Sequence, residues 1–62
     1  MNEQQTQHAR NLLLDWARNY AKQHATITGQ ELEAIVDRVL VAHPTDSSGL
    51  RRRMEVMKAL AR

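Results

Sequence analysis

Residues 28–42 read TGQELEAIVDRVLVA, and the fold follows from this stretch. Thr28, with Glu31 three positions later, has the spacing of a capping box. In that motif the hydroxyl accepts the Glu31 amide while the carboxylate reaches back to the Thr28 amide. Two donors that a helix start leaves open are thereby satisfied. Ile27 before the cap and Leu32 at the end of the first turn are placed to close as a hydrophobic staple. Leu32, Ile35, Val36, Val39 and Leu40 then recur at helical spacing, which makes one stripe of the helix apolar. His43-Pro44 ends it, because the residue before a proline is driven out of the helical region.

The rest of the chain can only be built around this helix on a small scale. Its 62 residues allow one domain, spanning 1–62. A single core below about 70–80 residues rarely supplies more than about 3–5 kcal/mol. Cysteine is absent, which excludes a disulfide and a cysteine-based zinc site. Further stability must come from helix packing or self-association, so a dimer is an open expectation. No apolar run approaches the ~18 residues of a membrane span, and MNEQQTQ is not a secretory signal. The expectation is a cytoplasmic protein, or an interaction domain cut from a longer one. Trp16 and Tyr20 are the only aromatics, and the breakers Gly29, Pro44 and Gly49 all fall at inferred helix boundaries. That pattern predicts an all-α fold.

Upstream, a helix is expected over about 6–24, with residues 1–5 polar and frayed. On a wheel, Ala9, Leu12, Leu13, Trp16, Ala17, Tyr20 and His24 share one broad face. Leu14 falls off that face beside Ala21, which reads as a surface position or an intermolecular contact. Ala25-Thr26-Ile27 is short enough to make the first two helices antiparallel neighbours. Val41 lies opposite the stripe of the second helix.

Downstream of the HPTDS joint a third helix is expected over about 47–62. Leu50, Met54, Met57 and Ala61 form its stripe, with Leu60 beside them and Val56 outside. The methionine pair would fill core gaps or line an adaptable seam that accepts another helix. The architecture expected is a three-helix bundle. Its competitor is a helical hairpin whose third arm docks on a second copy.

Charge is unevenly placed. The second helix and its joint hold Glu31, Glu33, Asp37 and Asp46 against Arg38, whereas residues 47–62 hold Arg51, Arg52, Arg53, Lys58 and Arg62 against Glu55. Arginines in the first turns of a helix oppose its macrodipole, a small cost that disappears when they face an anion. A phosphate backbone or an acidic protein would supply one. The plainer reading pairs Arg51 and Arg53 with acids of the second helix, or leaves them solvated.

Several activities lose ground on spacing alone. A helix-turn-helix needs a turn of about 3–4 residues, and the proline-containing 43–48 joint is longer. The third helix also lacks the Asn or Gln that reads adenine, and the second helix is too acidic for a groove. Ser47 and Ser48 sit at capping positions, Gly29 and Gly49 form no phosphate loop, and Asp15, Glu31 and Glu33 are exposed or capping. Such a small fold is also expected to lack a substrate pocket of several hundred Å3. His8, His24 and His43 are too far apart for an i,i+4 metal pair, although His8 and His43 fall at one end of a helical hairpin. No enzyme, cofactor, metal or small-molecule substrate is expected, and without aromatics on the third helix no membrane-surface role either.

What remains is a small regulatory or adaptor protein that binds a protein partner through helical surfaces and self-associates. Arg51, Arg52, Arg53, Lys58 and Arg62 are its candidate partner-binding residues, and Leu14, Val41 and Val56 its candidate self-association residues. The alternative is a nucleic-acid-binding regulator that sets the same cations on phosphates.

Overall fold

A computed structural model of the chain describes residues 3–45 and 48–61. They form three helices, α1 (Glu3–His24), α2 (Gly29–Ala42) and α3 (Leu50–Leu60). α1 and α2 run antiparallel, and α3 returns so that its end reaches the α1–α2 link. This is the expected three-helix bundle. α1 begins at Glu3 and not near Thr6, and α3 at Leu50 and not Ser47. Met1, Asn2, Asp46, Ser47 and Arg62 lie outside the described residues.

The helix boundaries follow from local chemistry. Thr28 is extended at φ −76° and ψ 157°, and its hydroxyl accepts the Glu31 amide at 3.2 Å. Leu32 is buried, and Ile27 packs against the core that Leu32 joins. At the other end the His43 amide donates to the Val39 carbonyl at 2.9 Å, and the chain leaves the helix ahead of Pro44. α3 starts differently. Gly49 adopts φ 73°, which glycine reaches without a Cβ clash, and the Leu50 amide donates to the Ser48 hydroxyl at 3.2 Å.

All three helices feed one core: Leu13, Leu14, Ala17 and Ala21 from α1, Leu32, Val36 and Val39 from α2, and Val56 from α3. The fully covered positions are small, Ala17, Val36 and Val56. Small side chains let helix axes approach closely, and larger ones are displaced to the edge. Trp16, Ile35, Leu40 and Leu60 accordingly pack around this centre while remaining half-exposed.

Two expected faces are corrected by this core. Leu14 and Val56, read as self-association residues outside the stripes, are buried, at 6% and 0% exposure. Neither is available to a second copy while the bundle is folded. Conversely, Leu12 on α1 and Leu50 and Met54 on α3, read as core stripe, stand in solvent. Core packing sets both rotations, and polar contacts at the helix flanks accompany them. On α1, Arg10 lies on the same side as Leu14, Ala17 and Ala21, at spacings of 4, 3 and 4, and reaches Asp37 and Glu33 of α2. α1 turns its Leu14 side to α2. On α3, the Arg52 Nε donates to the His43 carbonyl at 2.8 Å, at the C-terminal end of α2. Val56 is one turn beyond Arg52 on the same face and packs into the core, while Leu50 and Met54 lie on the other side of the helix. Of the three self-association residues only Val41 is exposed, at 81%.

Candidate functional site

The basic third helix distributes its cations over different tasks. Arg52 is half-buried and committed to the end of α2, where a cation also complements the helix dipole. Arg53 lies with its guanidinium carbon 5.9 Å from the centroid of the Trp16 ring, a cation–π contact that ties α3 to α1. Lys58 pairs with Glu55 one turn away at 3.4 Å and is mostly in solvent. Arg51 is exposed. Arg62 belongs to the residues outside the description.

Among the described residues, no ion pair joins Arg51, Arg53 or Lys58 to an acid of α2. Arg10 of α1 takes Asp37 at 2.6 Å and Glu33 at 3.3 Å. Hydrogen bonding to Asp37 first, then to Glu33, holds the Arg10 guanidinium above the ordinary arginine value. Of the plainer reading, pairing with acids of the second helix or solvation, the described residues fit solvation: Arg51 and Arg53 are exposed, with Arg53 set against Trp16. Glu33 and Asp37 of α2 turn to α1, and of the α3 cations Arg51 and Lys58 are the ones that stand mostly in solvent.

Beside these cations lies apolar surface. Leu50 and Met54 are 59% and 48% exposed, and Met57 is half-covered. Leu50, Met54 and Lys58 recur every fourth residue, with Arg51 alongside, so the outer face of α3 mixes apolar and basic groups. Across the Arg53–Trp16 contact, α1 adds Leu12, 59% exposed and one turn before Trp16. Trp16 also stacks on Tyr20 at 5.3 Å between centroids, and Tyr20 meets His24 at 4.4 Å, so an aromatic column runs up this side of α1. Leu12 was missed as a surface group, while Trp16 sits half-buried at the edge of the core. A 4-3-4 line through Leu14 competes in the sequence with the aromatic face, and contacts between helices decide between them.

The surface also has a concavity, larger in volume than expected of so small a fold but open to solvent. An open cleft of about 640 Å3 lies where the α1–α2 link meets the end of α3, with Ile27, Ile35 and Leu60 in its lining and His24, Glu31 and Arg38 among its polar groups. It brings an acid and two potential cations to one rim. Among the described residues, no group of three or more His, Cys, Asp or Glu is placed to hold a metal ion. No described helix is long and apolar enough to cross a membrane.

No family model matches the chain, and no curated protein or solved structure matches it significantly.

Proposed function

We propose that this protein is a small non-enzymatic adaptor or regulator that binds a protein partner through the outward face of α3. The observation that carries this reading is the exposure of Leu50 and Met54, the apolar stripe of α3, while Val56 takes the core position. An apolar stripe left outside a small bundle is surface that a partner helix or groove can cover. Methionine suits such a face because its unbranched side chain adapts to what it meets. Arg51 and Lys58 at the border give electrostatic steering and orientation more than affinity. Self-association through Leu14 and Val56 is not part of this reading, since both are interior.

The nucleic-acid alternative uses the same cations, but Arg52 is engaged at the end of α2 and Arg53 lies over Trp16. Leu50 and Met54 between them offer nothing to a phosphate. The test places a photo-crosslinking amino acid at Leu50 or Met54 in cells expressing the protein, with exposed Gln30 on α2 as control. Protein adducts from 50 and 54, absent at 30 and resistant to nuclease, are expected. Nuclease-sensitive adducts, or adducts equally strong from 30, overturn the reading. A labelled duplex titrated at ~50 and ~200 mM salt gives the second arm, since phosphate contacts weaken steeply over that interval.

A further inference from the structure

α1 and α3 run in the same direction, so residues one turn before a shared contact lie level with each other. Arg53 and Trp16 make that contact. Leu50 is one turn before Arg53, and Leu12 one turn before Trp16. The two exposed leucines therefore flank one seam between α1 and α3, and Met54 and Met57 continue it along α3. The seam is about 16 Å long if it follows the 11 residues of α3. It is the side of the bundle where a further antiparallel helix would convert three helices into an up-down-up-down arrangement of four.

Resting on the protein-partner reading, we infer that this seam receives an acidic amphipathic helix of a partner protein, laid antiparallel between α1 and α3. Charge complementarity selects this occupant. The α3 border carries Arg51, Arg53 and Lys58 with Glu55, paired to Lys58, as its single acid, and two of the α2 acids, Glu33 and Asp37, are held by Arg10. The α1 border is different: Asp15 and Asn19 lie beyond Leu12 and Trp16. The guest helix accordingly has an apolar stripe three turns long, acids along the edge facing α3, and neutral or polar residues along the edge facing α1. A second copy is a poor guest. Laid antiparallel with α3 on α3, it would bring Arg51, Arg53 and Lys58 near the same cations of its partner, and facing like charges are unfavourable. Laid with α3 on α1, it would offer Asp15 as the single acid in this stretch of the α1 border. A duplex is a poor guest as well, because the apolar groups interrupt the cations.

The seam carries its own reporter, since Trp16 is the only tryptophan of the chain. The experiment titrates the full chain with a synthetic amphipathic peptide of about 16 residues, leucines on its stripe and glutamates on its flank, and follows Trp16 emission. A second peptide has lysines in place of the glutamates. The glutamate peptide is expected to shift the emission saturably and to bind at least tenfold more tightly than the lysine peptide. Arg51→Glu with Lys58→Glu should weaken it several-fold, and Leu50→Asp with Met54→Asp should abolish it. Circular dichroism establishes that each variant is folded, and Leu50→Gln with Met54→Gln replaces the aspartates if they unfold the bundle. Equal binding of both peptides, no shift with either, or a response unchanged by all these variants overturns the inference. So does sedimentation of the protein as a dimer that buries Trp16, or displacement of the peptide by a DNA duplex. Failure here with nuclease-resistant crosslinks at 50 and 54 removes the acidic helix but leaves the protein-partner reading. Failure of both removes the reading itself.

Discussion

α2 and α3 are helices of similar composition in one respect, an apolar stripe at helical spacing, yet they use it in opposite ways. In α2 the stripe is the buried face: Leu32, Val36 and Val39 are core, with Ile35 and Leu40 at its edge. In α3 the stripe of Leu50 and Met54 faces solvent, and a lone valine outside it is interior. The starts differ too. α2 opens on Thr28 with its hydroxyl accepting the Glu31 amide, whereas α3 opens on a left-handed Gly49 followed by three arginines. α2 is shaped by its own folding requirements. α3 is held by a few contacts at its edges, and its most regular surface is left over. In a bundle this small, that division separates residues buried for stability from residues that the proposed reading assigns to binding.

The largest effects should appear where this division is attacked from the inside. Leu14→Asp and Val56→Asp each place a carboxylate in the core with no partner, and each is expected to leave the chain unfolded by circular dichroism. Leu12→Asp, on the same helix as Leu14 but in solvent, should retain full helicity. An unfolded Leu12→Asp with a folded Leu14→Asp would reverse the rotation described for α1.

Val56 and Val41 offer the same comparison at lower cost. Both are valines on helices, one fully covered and one 81% exposed. Val56→Ala should lose about 1.5–3 kcal/mol in urea unfolding, from lost burial and the cavity left behind. Val41→Ala should stay within about 0.5 kcal/mol of the parent. Similar losses at both positions would mean that α2 also docks its outer face on something, a second copy being the first candidate.

These pairs also mark how far the sequence could be read. The capped start of α2, its stop before Pro44 and the number of helices were legible because they depend on neighbours in sequence. The rotations of α1 and α3 were not. Leu12 and Leu14 are equally apolar, and the choice between them rests on packing against residues far along the chain, with Arg10 on the Leu14 side meeting Asp37 and Glu33, 27 and 23 positions away. Val56 was passed over for the same reason: it packs against residues of α1 and α2, and the bond beside it joins Arg52 to a carbonyl nine positions back. Of the cationic site, the identity of the residues was legible and their division of labour was not, since the stacking of Arg53 on Trp16 joins two helices.

The two glycines sharpen the contrast between helix starts and should differ in sign. Gly49 holds φ 73°, where any other residue is strained, so Gly49→Ala should destabilise the bundle by about 1 kcal/mol or more. Gly29, the first residue of α2, has a negative φ and open space where a Cβ would sit. Gly29→Ala should therefore stabilise by about 0.4–1 kcal/mol, mainly by restricting the unfolded chain. Thermal melts of the two variants measure both. Shifts of the same sign would contradict the left-handed start of α3.

The smallest expected effect is the most informative for function. Leu50→Gln with Met54→Gln removes the apolar character of the α3 stripe at positions that are 59% and 48% exposed. If that stripe contributes to the fold, the double variant should melt well below the parent. If it is surface held for a partner, unfolding should stay within about 0.5 kcal/mol of the parent, because glutamine forms helix well and no core contact is lost. We expect the second result, together with loss of the crosslinks at 50 and 54. A residue pair that is dispensable for folding yet required for association is what distinguishes a binding face from a poorly covered core. Its counterpart on α2, Val36, should show the reverse: substitution lowers stability, and association is lost only with the fold.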